Sequence, residues 1–279
     1  MEIYVLSRGF SQNDDYLWLK CTPNGQEKVG GLPVVFEKEA TDLIQSEVPS
    51  VFLARREKKL LLLITAIQPK GRGDFNNRQI RISVAWLLED STDRQRVLRM
   101  LAVRSLDEAQ RKQLTQEISA AVTLGGDEGF QGNFDELSKL ANSEKTQSFI
   151  LDEPLDEEKI AKKLAKTSTE TKMQLAEELK QYCLPEAEGP LVVATGIKKE
   201  ETLKKAGVWR GLSTLVKTQE WEVYQEELEE ANPSAEPLFG LPPFFGSIVD
   251  SVLTSSTTLY KKKCSSFHAL IKNLMNKSR

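Results

Sequence analysis

The chain has one histidine, His268, and three cysteines, Cys21, Cys183 and Cys264. A single imidazole cannot build a histidine-rich zinc site, and cysteines this far apart, outside any C-x-x-C pair, offer few thiolate ligands. The same scarcity points to reduced thiols in a cytoplasmic protein. His268 lies among Phe267, Leu270 and Ile271 with no orienting acid nearby, so it reads as a helix-face residue and not as a general base. No apolar run reaches the roughly 18 to 20 residues of a membrane helix. The longest candidates lie near Leu60–Ile67 and Ile80–Leu88. The chain opens with a strand-like Glu2-Ile3-Tyr4-Val5-Leu6 in place of a charged and then apolar leader, so no secretory signal is expected.

Phosphate-binding and nucleophile motifs are missing as well. Neither G-x-x-x-x-G-K-[ST] nor G-x-G-x-x-G occurs, and Lys198 and Lys199 follow the lone glycine Gly196. Gly211-Leu212-Ser213-Thr214-Leu215 lacks the second glycine of a nucleophile elbow. Asp127 and Glu128 lie in a glycine loop, Gly125 to Gly129, without the ligand spacing of a calcium loop, so a solvated turn is the simpler reading. These absences leave no catalytic residue, no metal site and no cofactor to expect.

What is present is a globular composition: 279 residues, 39% hydrophobic and 28% charged, enough for one large or two ordinary domains. Charge is strongly partitioned, although the net value is only −3. Residues 1–120 carry 18 basic and 16 acidic side chains, residues 121–250 carry 14 and 25, and residues 251–279 carry 6 and none. Eleven of thirteen arginines precede residue 120. Such a shift marks a domain boundary, which the polar stretch Asn142–Gln147 would supply. The expected division is 1–145, a mixed sheet and helix domain, and 146–279, a mainly helical domain with a short buried strand at 191–194.

The pattern predicts an α+β fold. Tyr4-Val5-Leu6 and Tyr16 to Cys21 read as strands, and a short helix follows over Phe36–Gln45. Val51–Ala54 and Leu60–Thr65 flank a charged hairpin tip, Arg55 to Lys59, and Ile80–Leu88 runs into the core. Helices are expected over Arg94–Leu106, with Arg94, Arg96, Arg99 and Arg104 around its apolar face, and over Asp107–Val122 and Phe134–Ala141. A long helical region spans Asp156–Cys183, broken near Thr167-Ser168-Thr169, and an acidic helix covers Glu220–Ala231. Between them, Leu191–Ala194 is a strand buried on both faces, followed by a helix from Glu200 that Gly207 ends in a left-handed conformation. Val208 to Leu212 then turns the chain back on one aromatic anchor, Trp209.

Ile3-Tyr4-Val5-Leu6-Ser7-Arg8-Gly9-Phe10, with Asn77-Arg78 and Val84-Ala85-Trp86, resembles the amino-terminal modules of bacterial accessory proteins associated with GTPases and other NTPases in signalling or conflict systems. Related uncharacterised bacterial proteins share the likeness, which covers residues 1–105. It implies a protein partner, a GTPase or other NTPase, and assigns no residue a role.

Two candidate binding elements follow from the residues themselves. Pro69 to Arg78 is a loop with two glycines, and Arg72, Asp74, Arg78 and Arg81 are its candidate recognition residues, because binding groups concentrate on loops held by rigid strands. Phe267, Leu270, Ile271, Leu274 and Met275 form one helical apolar stripe among basic residues. That stripe suits packing on its own domain, docking to a partner, or peripheral contact with an anionic membrane. The leading functional reading is a non-enzymatic cytoplasmic interaction or regulatory protein of a bacterial signalling or defence system, acting through protein-protein contacts. Alternatives are a nucleic-acid binder using Arg55, Arg56, Lys58, Lys59, Lys70, Arg72, Arg78 and Arg81, and a nucleotide-dependent or hydrolytic enzyme with an unrecognised site. The near-neutral charge of residues 1–120 weighs against the first alternative.

Overall fold

A computed structural model describes residues 1–142 and 150–225. The chain starts with β1 (Glu2–Ser7), β2 (Leu17–Thr22), β3 (Gly25–Val29), helix α1 (Val34–Leu43), β4 (Ser50–Arg56), β5 (Lys59–Ile67) and β6 (Ile82–Glu89). Helices α2 (Thr92–Leu106) and α3 (Glu108–Ala121), a small ribbon of β7 (Val122–Leu124) and β8 (Phe130–Gly132), and α4 (Phe134–Asn142) follow. After residue 150 come α5 (Glu157–Ile160), β9 (Lys163–Lys166), α6 (Thr169–Gln181), β10 (Gly189–Thr195), α7 (Glu200–Lys205), β11 (Arg210–Ser213) and β12 (Glu222–Val223). Ten of these strands form one sheet in the order β12-β9-β11-β10-β4-β5-β6-β1-β2-β3. The fold is α+β. Strands β9, β11 and β10 are mutually parallel, and every other pairing in this sheet is antiparallel.

Helices cover both faces, which explains why the middle strands read as continuous apolar runs. In β5, Leu60, Leu62 and Ile64 pack with α2, α3, α4 and α6, while Leu61 and Leu63 pack with Phe36 and Leu43 of α1 and Leu203 of α7. Replacing one such leucine by alanine costs about 2 to 5 kcal/mol through lost burial and the cavity left behind. The expected hairpin forms: Arg56 pairs with Lys59 across Glu57 and Lys58, whose φ values are 50° and 59°. Two left-handed central residues match the right-handed twist of the flanking strands. Gly207, at φ 67°, ends α7 as its position implied.

Three expectations change. The helix read over Asp156–Cys183 is interrupted by β9, because Ser168 and Thr171 form a reciprocal cap that starts α6 afresh at Thr169. Within β9, Leu164 and Ala165 are buried on opposite faces, and two residues are too few to reveal a period. Val208 to Leu212 does more than turn the chain. Arg210–Ser213 is a strand inserted between β9 and β10, behind a buried Trp209. Finally, Glu222–Val223 pairs with β9 where the acidic helix was expected, and residues 226–231 of that helix lie outside the described residues.

The charge step near residue 145 does not separate two sheets. Strands from residues 163–223 join those from residues 2–89, and the described residues belong to one compact unit. Charge composition reports solvated surface, whereas the sheet is built from apolar strands on both sides of the step. Residues 143–147 of the expected linker lie outside the described residues.

Two buried arginines lock α6 in place. Arg99 of α2, fully buried, donates to the carbonyls of Leu151, Leu179 and Lys180 and to Asp152, so it satisfies the carboxyl end of α6. Arg210 of β11 grips Glu178 with two nitrogens at 2.6 and 2.7 Å and donates to the carbonyls of Lys159, Ala161 and Trp209. Arg99 and the buried Arg104 thus leave the polar face that helical spacing assigned them.

Candidate ligand-binding cleft

The parallel block dictates where a cleft can form. From β9 the chain crosses through α6 on one face to β10, then returns through α7 on the other face to β11. Connections that leave on opposite faces open a crevice beyond the carboxyl ends of the strands. A cavity of about 880 Å³ lies there. Thr167, Gly196 and Thr214 follow the ends of β9, β10 and β11, and Ser50 and Thr65 face each other at the adjoining ends of β4 and β5. The far wall comes from the end of α2 and from α3, with Leu106, Leu114 and Ser119.

Four cations line the cleft, Lys70, Arg111, Lys112 and Lys172, and no Asp, Glu, His or Cys does so among the described residues. Lys172, in the second turn of α6, is half-buried. Burial first, and then the neighbouring Arg111, pull its ammonium below the ordinary lysine value, while Glu108 acts in the opposite sense. Its charge is therefore strained in the free protein, and an anion beside it would relieve that strain. The floor has a local distortion too. Ala66 adopts φ 53° where the β5–β6 register slips between Ile64 and Ile67, a bulge that turns the end of β5 toward the cavity.

The hydroxyl network on the floor is directional. Thr65 Oγ1 donates to the Val48 carbonyl at 2.6 Å, Thr214 Oγ1 to the Gly196 carbonyl at 2.5 Å, and Thr167 Oγ1 to the Thr195 carbonyl at 3.4 Å. Ser50 Oγ is bonded to the Val48 carbonyl and to Thr195 Oγ1, each at 3.1 Å.

Of the loop Pro69 to Arg78 only Lys70 lines the cleft, and the four candidate recognition residues are differently placed. Asp74 is buried and accepts from the Asn76 and Arg78 amides and from the Arg78 guanidinium at 2.8 to 2.9 Å, with Arg8 at 3.6 Å. Burial works against its charge, but those hydrogen bonds outweigh it and hold the carboxyl below its ordinary range. Asp74 and Arg78 thereby shape the loop itself. Arg72 turns inward to the Ser119 carbonyl at 3.3 Å, behind the cleft wall, and the Arg81 amide donates to the Tyr16 hydroxyl. The hairpin-tip arginines are also engaged, Arg55 by Asp90 and the Pro185 carbonyl, and Arg56 by Glu39 and Glu188. The stripe from Phe267 to Met275, with His268 and Cys264, lies outside the described residues.

Sequence reasoning reached Lys70 as a basic loop residue but not Arg111, Lys112 or Lys172, which lie scattered on two amphipathic helices and match no motif. No cluster of potential metal ligands occurs, and no helix is long and apolar enough to cross a membrane, among the described residues. Comparison with protein-family models, curated proteins and solved structures gave no match.

Proposed function

We propose that this protein is a non-enzymatic interaction or regulatory protein that binds a small organic anion in the cleft and reads its occupancy out through protein-protein contacts. One observation carries this reading: a cavity of about 880 Å³ with apolar walls is lined by four cations and no carboxylate. That size lies within the range of small-molecule sites, roughly 300 to 1,000 Å³, whose few polar groups set orientation. The bacterial signalling or defence setting, with a GTPase or other NTPase as partner, rests on the resemblance of residues 1–105.

Thermal denaturation of the full chain across a panel of organic phosphates and polycarboxylates tests the proposal. The expected result is a saturable rise in Tm for at least one anion, abolished in an Arg111→Ala/Lys172→Ala variant. A panel without any shift at millimolar concentration would overturn it.

A second reading has its own observation. Phe10 is 57% exposed and Phe75 36%, they are joined by a main-chain hydrogen bond, and the Arg78 guanidinium lies 5.9 Å from the Phe75 ring centroid. Aromatic rings interleaved with arginine suit the stacked bases of a single-stranded nucleic acid. Binding to an oligonucleotide that falls steeply with salt and is lost in Phe75→Ala supports this reading; salt-independent or absent binding rejects it.

A further inference from the structure

Building on the anion reading, we propose that the ligand of the cleft is a nucleotide. Its phosphates would lie on Arg111 and Lys172, its ribose hydroxyls would donate to threonine and serine oxygens of the floor, and its base would rest on the apolar wall.

The argument starts from the hydroxyl protons. Eight serine and threonine side chains line the cavity. Six of them spend their proton on a main-chain carbonyl: Ser50, Thr65, Ser105, Ser119, Thr167 and Thr214. A hydroxyl has one proton and two acceptor lone pairs, so once the proton is committed inward it can only accept from a ligand. An ionised carboxylate or phosphate group has no donor to give and would meet these oxygens lone pair to lone pair. A sugar with free hydroxyls meets them correctly.

The cations supply the complementary half. Arg111 is close enough to Lys172 to disfavour the lysine's charge, and no carboxylate of the lining separates them. Glu108 and Asp107 flank a smaller adjoining cavity of about 230 Å³ that shares Arg111 and Lys172. The two cations thus stand at the boundary between an acidic recess and the larger cleft, where a phosphate can take both. Val51, Ile64, Ile67, Leu106, Leu114 and Ala194 supply an apolar lining that a sugar phosphate alone would leave unused. A purine or pyrimidine ring fills it.

Calorimetric titration of the full chain with ATP, GTP, AMP, ribose 5-phosphate, adenosine, citrate and tripolyphosphate decides the matter. At least one nucleotide is expected to bind ten or more times more tightly than tripolyphosphate, citrate, adenosine and ribose 5-phosphate. Lys172→Gln should weaken nucleotide and tripolyphosphate binding alike. Thr65→Val and Thr214→Val should weaken the nucleotide by at least threefold and leave tripolyphosphate unchanged, with Tm confirming that each variant is folded. Tripolyphosphate or citrate binding as tightly as any nucleotide would sink the nucleotide proposal while leaving an anion site. Ribose 5-phosphate matching the best nucleotide would equally reject the base contact. Failure of every anion to bind would remove the underlying reading as well.

Discussion

Helix α6 ends in two different ways. At its carboxyl end, Arg99 and Arg210 are buried with a full set of carbonyl and carboxylate partners. At its amino end, Lys172 is half-buried beside Arg111, and its charge is disfavoured. Cations of the same helix neighbourhood therefore serve opposite ends. A buried charge met by matched acceptors holds elements together, whereas one left facing a like charge and a cavity is poised for something that is not part of the chain. The loop around Asp74 is mixed: Asp74 is buried and met by the hydrogen bonds that hold the loop's shape, Arg78 beside it is exposed, and Arg72 turns inward to the Ser119 carbonyl.

Breaking the satisfied end should have the largest effect. Arg210→Ala leaves Glu178 and three carbonyls without their donor, and a loss of about 3 to 5 kcal/mol is expected in chemical denaturation, as for other half-removed buried pairs. Arg99→Ala should fall in the same range. If either variant loses less than about 1 kcal/mol, the contrast between the two ends collapses.

Acid should act on that same end. Burial opposes ionisation of Asp152, but its hydrogen bonds from Arg96 and Arg99 prevail and hold it below the ordinary 3.8. Its stabilisation is thus complete above the ordinary carboxylate range and is lost as pH falls through the folded-state value. Asp74 has the same sign. Denaturation midpoints measured between about pH 7 and pH 3 should drop toward the acid side, and Asp152→Asn should flatten part of that slope.

Lys172→Met sharpens the comparison at the other end. Removing a disfavoured charge should leave unfolding free energy within about 0.5 kcal/mol of the parent, or raise it, while ligand binding disappears. A large destabilisation would place Lys172 with the structural cations. A small gain is expected at Ala66, whose left-handed φ of 53° is uncomfortable for any side chain. Ala66→Gly should stabilise by up to about 1 kcal/mol, partly offset by the greater freedom of glycine when unfolded.

Much of the fold was legible because it depends on local pattern. Apolar runs marked β4, β5, β6 and the buried β10, spacing marked α2, α3 and α4, and Gly207 marked the end of α7. Short strands escaped: β9, β11 and β12 have two to four residues each, below the length at which a period can be read, and they exist because β10 and its neighbours offer them ladder partners. Of the candidate recognition residues, Asp74 was visible as an acid in a glycine loop, but nothing local said that it would be buried.

The chain by itself determined an α+β composition, the core strands and the exclusion of histidine-rich metal chemistry, since these follow from residue type and nearest-neighbour spacing. Tertiary structure alone decided that residues 163–223 would extend the N-terminal sheet and that Lys70, Arg111, Lys112 and Lys172 would line one cavity. It also decided that Arg99 and Arg210 would be buried, because strand pairing and charge satisfaction act between residues far apart in sequence, where composition and periodicity carry no information.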